Sequence, residues 1–244
     1  MIRLENVHKS FSGKQVLDGM ALNVRPAETY VILGPSGIGK SVTLKLIIGL
    51  LRVDSGKIVV NGRDITTLGP EALYGVRKIF GYLFQSGALI NWLDVAGNIA
   101  LPLRRTTGLS EKEIGRRVKE KLAMVEMEGA EKLMPEELSG GMKKRVALAR
   151  AIVTEPKIIL YDEPTTGLDP IVADRINRLI LNIQENTKTT SIVVTHNMHC
   201  ALKVGNRVGL MGDGKIIAEG SADEMRNSDN PRVREFIFAT RLRK

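Results

Sequence analysis

A glycine-rich run near the start of the chain constrains its fold more than any other feature of the sequence. The run reads Gly34-Pro35-Ser36-Gly37-Ile38-Gly39-Lys40-Ser41 and fits the pattern G-x-x-x-x-G-K-[ST]. An apolar strand pattern, Thr29 to Leu33, precedes it, and a helical pattern from Lys40 to Leu50 follows. A loop in this position turns backbone N–H groups towards an anion, next to the positive end of the helix. The sequence therefore predicts a phosphate-binding loop at 34–41, called the phosphate loop below.

Two side chains of the phosphate loop extend the prediction to ATP. Lys40 can bridge the β- and γ-phosphates, and the Ser41 hydroxyl can ligate Mg²⁺. We include the next helical residue, Val42, among the residues that contact the nucleotide. The alternative is a chance glycine-rich turn, which a match over eight positions between a strand and a helix disfavours.

A second apolar run supplies the acidic groups that such a site needs. It reads Ile158-Ile159-Leu160-Tyr161-Asp162-Glu163, a strand pattern that ends in two carboxylates. Asp162 is predicted to hold Mg²⁺, directly or through water. Glu163 is predicted to polarise the attacking water as general base. A solvated acidic pair at a strand end is the alternative, and the presence of the phosphate loop makes it the weaker one.

The order of the patterns predicts an α/β fold in a single domain, 1–244. We expect a P-loop NTPase fold with a RecA-like core of mainly parallel sheet, an N-terminal antiparallel β part and an inserted α-helical lobe. The core is assigned to 1–85 and 151–220, the lobe to about 86–150, and a C-terminal helical tail to 221–244. Within the lobe, Ser110 and Glu113 predict a capping box that starts a helix. A β-hairpin is predicted around Asp213-Gly214.

The composition limits the classes of function. The net charge is +9, yet aromatic residues are only 4% of the chain, which disfavours base-stacking surfaces and a nucleic-acid partner. No apolar run approaches the roughly 18 residues of a membrane span, and no signal region opens the chain. The single cysteine, Cys200, fits a reducing compartment. We therefore expect a cytosolic protein, with the basic charge as a weak indication of a membrane surface.

Three further segments narrow the class. They are Leu138-Ser139-Gly140-Gly141-Met142, the glutamine that closes Tyr82-Leu83-Phe84-Gln85, and the histidine that closes Val193-Val194-Thr195-His196. With these motifs in order over nearly its full length, the chain resembles the ABC ATPase family. The resemblance implies two copies that meet head to tail, with the signature segment 138–142 of each facing the ATP of the other. In this arrangement Ser139 caps a helix whose N-terminal amides, with Gly140 and Gly141, face the γ-phosphate.

The resemblance also assigns individual roles. Phe11 stacks on adenine, although a plain core position is the alternative. Gln85 contacts Mg²⁺, and His196 hydrogen-bonds the γ-phosphate. Asp169 lies at the dimer interface. Met142 departs from the family, which usually has glutamine there; we expect activity to survive, because Ser139 and the glycine backbone make most contacts.

More particular stretches resemble the Mla-type ATPases. They are the phosphate loop, Phe84-Gln85-Ser86-Gly87-Ala88-Leu89, 132–142 and 229–236. The resemblance implies transport of phospholipids between the two membranes of Gram-negative bacteria, with a membrane permease that docks near Gln85 to Leu89 and an MCE-domain protein. It places the chain at the cytoplasmic face of the inner membrane. Some members also bind a small STAS-domain protein or extend a C-terminal tail to the opposite ATPase, and the end of this sequence at Lys244 leaves both open.

Two other functions stay open on the sequence. One is the ATPase of a different ABC importer or exporter of small solutes, with the same chemistry. The other is a soluble ABC protein that acts on nucleic acid or ribosomes, which the positive charge suggests. The second is disfavoured, because such proteins usually carry two ATPase domains or a long coiled-coil insert.

Overall fold

The computed structural model describes residues 1–241, with side chains up to residue 238, so 242–244 of the predicted tail lie outside the described residues. The strands are β1 (Ile2–Phe11), β2 (Lys14–Val24), β3 (Thr29–Leu33), β4 (Ser55–Val60), β5 (Arg63–Asp64), β6 (Phe80–Leu83), β7 (Ile158–Asp162), β8 (Thr190–Thr195), β9 (Arg207–Gly212) and β10 (Lys215–Gly220). The helices are α1 (Lys40–Ile47), α2 (Pro70–Arg77), α3 (Val95–Thr106), α4 (Glu111–Met124), α5 (Gly140–Ile152), α6 (Pro170–Thr187), α7 (Met198–Val204), α8 (Ala222–Arg226) and α9 (Pro231–Arg241).

The chain forms two compact units, 1–77 with 190–244, and 78–189. In the first unit, an antiparallel sheet has the order β2-β1-β4-β5. Its strand β1 alternates, with Ile2 and Leu4 buried and Arg3 exposed, as expected for a sheet with one face on a core. The antiparallel N-terminal β part is therefore confirmed.

The first unit also contains a parallel arrangement around β3. This strand pairs in parallel with β8 on one side and β9 on the other, and β9 and β10 form an antiparallel hairpin. All five residues of β3 are buried, which suits a strand with parallel neighbours on both edges. The strand predicted at 29–33 and the hairpin around Asp213-Gly214 are both confirmed.

The second unit is mostly helical. Its two strands, β6 and β7, pair in parallel, and α5 packs on β6 and on α3, α4 and α6. A Cβ at Gly81 of β6 would lie 2.1 Å from the carbonyl oxygen of Ala151, so the glycine lets α5 approach the strand closely. The mixed α/β class with an inserted helical lobe is confirmed, and the assigned bounds of that lobe, about 86–150, stay a prediction.

Local differences from the predictions have simple causes. The helix predicted over 40–50 ends at Ile47, because Gly49 turns the chain with φ 69°. Ser110 caps α4 as predicted, since its side chain accepts a hydrogen bond from the Glu113 amide. The Glu113 carboxylate, however, pairs with Arg116 at 2.7 Å and with Arg117 at 3.4 Å. The sequence patterns did not reveal α2, α3, α7, β4, β5 or β6.

None of the described helices combines the length and the apolar character that crossing a membrane requires.

Candidate functional site

The phosphate loop lies between β3 and α1, where the sequence predicts it. Gly34 continues from β3 and donates its amide to the carbonyl of Thr195, the last residue of β8, at 3.2 Å. Lys40 is only 4% exposed, and its Nζ donates to the carbonyls of Gly34 and Pro35 at 2.8 Å each. The loop therefore folds around a buried ammonium group, which places a positive charge inside the turn.

The end of the phosphate loop depends on a glycine. Gly39 has φ 112°, and a Cβ there would lie 2.9 Å from Val16 Cγ1 of β2. Gly39 is also the N-cap of α1 and supplies no side-chain cap, whereas α3, α4, α5 and α6 are capped by Asp94, Ser110, Ser139 and Asp169. A helix start without a side-chain cap, next to a buried lysine, suits an anionic ligand. The residues Pro35 to Gly37 are exposed, and Ile38, Ser41 and Val42 are half-buried.

His196 and Phe11 lie in the same unit as the phosphate loop. His196 is exposed and follows directly after Thr195, the residue whose carbonyl binds Gly34. Phe11 ends β1 and is 41% exposed, which excludes the alternative of a core residue. Lys9 lies 5.3 Å from the centre of the Phe11 ring, and Asp54 holds the Lys9 ammonium at 2.5 Å. Stacking of Phe11 on adenine stays a prediction that this exposure supports.

The acidic strand end, Asp162 and Glu163, belongs to the second unit. All of β7 is buried, and Asp162 and Glu163 are 5% and 6% exposed. The Tyr82 hydroxyl donates to Asp162 Oδ2 at 3.2 Å, and burial together with this carboxylate raises the pKa of Tyr82. Glu163 has φ 48°, and its carboxylate accepts a hydrogen bond from the Thr166 hydroxyl at 3.0 Å. Two carboxylates buried at a strand end are organised for more than solvation.

The Gln85 turn, residues 85–88, is held by cations from α5. Lys144 Nζ donates to the Gln85 carbonyl at 2.5 Å and to the Glu163 carbonyl at 3.1 Å. Arg150 donates to the carbonyls of Gly87 and Ala88 at 2.6 and 2.7 Å. Burial lowers the pKa of Lys144, and the negative charges of Asp162 and Glu163 partly oppose this shift. The sequence shows Lys144 and Arg150 only as members of a basic helical run, so motif reading missed these contacts.

The signature segment starts α5. Ser139 is the N-cap, in extended conformation, and its side chain accepts a hydrogen bond from the Met142 amide at 3.3 Å. The predicted cap is therefore confirmed. Ser139 and Gly140 are exposed, Gly141 is buried and Met142 is half-buried. The helix start thus presents its first two positions outward.

Asp169 occupies a similar place at the start of α6. Its carboxylate accepts the amides of Ile171 and Val172 at 3.0 Å each. Ile171, beside it, is 70% exposed, an unusual position for a large apolar side chain. This exposed apolar residue supports the prediction that Asp169 lies at an interface.

Together, the phosphate loop, the acidic strand end and the outward-facing start of α5 are the features of a P-loop nucleotide-hydrolysing protein. The family model of the ABC transporter matches residues 17–166. The chain belongs to the ABC transporter family, and it is an ATP-hydrolysing subunit.

Curated relatives match over almost the whole chain. The intermembrane phospholipid transport system ATP-binding protein MlaF of Haemophilus influenzae is 42% identical over 97% of this chain and 90% of its own length. MlaF of Escherichia coli K12 is 39% identical over 97% of this chain and 88% of its own length. The probable ribonucleotide transport ATP-binding protein Mkl of Mycobacterium tuberculosis is 42% identical over 99% of this chain and 67% of its own length.

Solved structures agree on the fold. A dimeric, post-hydrolysis structure of the ATP-binding cassette MJ0796 bound to ADP and Pi superposes with a TM-score of 0.84 at 33% identity, covering 91% of this chain and 99% of that one. CbiO1 from Clostridium perfringens, part of an ABC transporter complex, has a TM-score of 0.84 at 29% identity and covers 97% of this chain and 98% of its own. The predicted ABC ATPase fold is confirmed.

Proposed function

We propose that two copies of this chain bind two ATP molecules head to tail and drive phospholipid transport between the inner and outer membranes. The observation that carries the catalytic part is the phosphate loop with its buried lysine and no side-chain cap. The similarity to MlaF carries the transport part. The dimeric cassette bound to ADP and Pi supports the arrangement in pairs.

In this proposal each motif has one role. Lys40 and the amides of the phosphate loop hold the β- and γ-phosphates, and Phe11 stacks on adenine. Glu163 accepts a proton from the attacking water, and His196 binds the γ-phosphate. Ser139 and the amides of Gly140 and Gly141 contact the γ-phosphate of the ATP bound to the partner copy, because Ser139 and Gly140 are the exposed start of a capped helix.

The donors proposed for Mg²⁺ fit that ion. They are the Ser41 hydroxyl, the Asp162 carboxylate and the Gln85 side-chain oxygen, all hard oxygen ligands. Among the described residues no group of three His, Cys, Asp or Glu side chains forms a ready metal cluster. When bound, Mg²⁺ would neutralise phosphate charge.

The surface beside the Gln85 turn supports docking of a permease. Ser86 and Ala88 are exposed, and Leu89 and Ile90 are half-buried. Trp92, the single tryptophan of the chain, is 81% exposed in the loop that follows. A largely exposed tryptophan favours burial against a partner. We place the chain at the cytoplasmic face of the inner membrane, bound there through this permease. An MCE-domain protein belongs to the same proposed complex. Whether a small STAS-domain protein also binds is left open.

A second candidate is the ATPase of a different ABC transporter. The 42% identity to Mkl, which is named a probable ribonucleotide transport ATP-binding protein, equals the identity to MlaF of H. influenzae. Purification of the chain with its native partners separates the two. A multispan permease with an MCE-domain protein supports phospholipid transport, and a permease with a periplasmic solute-binding protein contradicts it.

The catalytic assignment is tested with Glu163→Gln. We expect the variant to bind ATP, to lose at least about 100-fold in turnover, because general bases contribute about 10²–10⁴-fold, and to accumulate as a dimer with ATP. Phosphate release measures the turnover, and analytical ultracentrifugation with ATP measures the dimer and, through it, the binding of ATP. Glu28→Gln is the matched control, since Glu28 is also buried, at 8% exposure, and pairs with Arg207 at 3.0 Å.

The two readouts can fail separately. If Glu163→Gln hydrolyses ATP at the rate of the Glu28→Gln control, Glu163 is not the base. If the ATP-bound variant stays monomeric at all concentrations, the head-to-tail pair is wrong even when hydrolysis is lost.

A further inference from the structure

Lys144 connects two segments of the second unit that are distant in the sequence. It is 5% exposed, and the two carbonyls that it binds belong to Gln85 and Glu163. These two residues are 78 positions apart in the chain. Both carry side chains that the proposed function places at the nucleotide. One ammonium group thus connects the backbone of the proposed magnesium ligand with the backbone of the proposed base.

The connection constrains an unusual backbone. Glu163 has φ 48°, a left-handed conformation that a residue with a Cβ adopts only when its surroundings hold it there. The bond from Lys144 to the Glu163 carbonyl is one such restraint. Without it, the peptide after Glu163 can rotate towards a more ordinary conformation, and the carboxylate moves with it.

The other side of this connection is equally restrained. Arg150, on the same helix as Lys144, binds the carbonyls of Gly87 and Ala88. The Gln85 turn is therefore attached to α5 by its backbone, which leaves the exposed Gln85 side chain as the adjustable part. The position of Lys144 requires a cationic donor. The carbonyl dipoles compensate the buried charge, and an apolar side chain would leave these carbonyls unpaired.

We propose that Lys144 is a positioning residue that sets the Glu163 carboxylate relative to the Gln85 turn, so that the proposed ATPase depends on it in turnover and not in nucleotide affinity. This inference rests on the proposed function. Lys144 touches neither nucleotide nor water in this role; it acts through the two carbonyls.

The test compares Lys144→Met with Lys121→Met in the full chain. Lys121 is the matched control, since it is also 5% exposed, but it pairs with Glu120 and Glu155. ATP turnover, the affinity for ATP in a Glu163→Gln background, and thermal unfolding are measured for each variant. Lys144→Arg tests rescue, because a guanidinium can still donate to both carbonyls. If Lys144→Met does not fold, Lys144→Gln takes its place. The glutamine side chain is shorter than that of lysine and donates only through a single amide NH₂ group.

We expect Lys144→Met to lower kcat by about 10- to 100-fold, as displacements of about 1 Å at a reacting group do, with ATP affinity within about 2-fold of wild type. Lys144→Gln should be intermediate, Lys144→Arg should recover most of kcat, and Lys121→Met should stay within about 2-fold.

The proposal is overturned if Lys144→Met, or Lys144→Gln in its place, keeps the kcat of Lys121→Met. It is also overturned if kcat and ATP affinity fall together and arginine restores neither, because that result describes a loss of folding alone. Wild type and Glu163→Gln, measured in the same assay, distinguish a failure of this inference from a failure of the proposed function. An active wild type with an inactive Glu163→Gln and an active Lys144→Met contradicts only this inference, whereas an inactive wild type contradicts the proposed function and the inference with it.

Discussion

Two serines in the second unit occupy nearly identical positions at helix starts, and only one of them belongs to the signature segment. Ser139 caps α5 with φ −63° and ψ 164°, and Ser110 caps α4 with φ −66° and ψ 153°. Each side chain accepts a hydrogen bond of 3.3 Å from the amide three residues later. Ser139→Ala and Ser110→Ala therefore remove the same local interaction from helices of 13 and 14 residues.

The structural cost of the two changes should be equal. Loss of a serine N-cap costs about 1 kcal/mol, within a range of about 0.5–2 kcal/mol. In a domain of this size, about 1 kcal/mol lowers Tm by roughly 2–4 °C. We expect both variants to unfold within that range below wild type, as measured by calorimetry.

The catalytic cost should differ. If Ser139 also contacts the γ-phosphate of the partner copy, Ser139→Ala loses a hydrogen bond to a charged group, worth about 1.5–3 kcal/mol. This corresponds to a loss of about 10- to 150-fold in ATP turnover. Ser110→Ala should stay within about 2-fold, measured by phosphate release at saturating ATP and at a protein concentration that supports dimers. Equal turnover in the two variants would refute the idea that Ser139 does anything beyond capping its helix.

Two further changes test the first unit. Lys40→Ala should weaken ATP binding by at least about 10-fold, because an ammonium–phosphate contact is worth about 1.5–3 kcal/mol; titration calorimetry measures this, and unchanged affinity would contradict the position of the phosphate loop. Asp54→Asn should reduce the free energy of unfolding near neutral pH and leave it unchanged in strong acid. The reason is that hydrogen bonds from Lys9 and Ser10 lower the pKa of Asp54 to about 2. Since the folded pKa lies below the unfolded value of about 3.9, the stabilisation is complete above that value and disappears as pH falls through about 2. Chemical unfolding of wild type and Asp54→Asn between pH 2 and about 6 checks the sign, and a difference that grows on acidification would disprove it.

Short-range patterns predicted much of this protein from sequence alone. The phosphate loop needs Gly39 at a positive φ and Lys40 at a helix start, and both requirements are local, so eight adjacent residues display them. The caps by Ser110 and Ser139 are equally local, since each joins a side chain to an amide three residues away. The buried strand at 29–33 could be predicted because a strand with parallel neighbours is apolar along its whole length.

Elements without a distinctive period escaped prediction. The strand β4 has three exposed residues before its first buried one, and β5 has only two residues, so neither shows clear alternation. In α3, Pro102 lies inside the helix and weakens its pattern. The reciprocal half of the Ser110 capping box failed for a related reason, because Glu113 found arginine partners one turn along the helix.

The sequence alone determined which chemical groups this protein offers: the glycine loop with its lysine, the acidic pair, and the serine that starts α5. Only the tertiary structure decided which distant parts of the chain share a partner, as Gln85 and Glu163 share Lys144 and as Gly34 binds Thr195. The physical reason is that a lysine donates to any carbonyl within reach. The sequence shows only that Lys144 is basic and lies in a helical run. Packing alone brings its ammonium group to two carbonyls at once and excludes water from them.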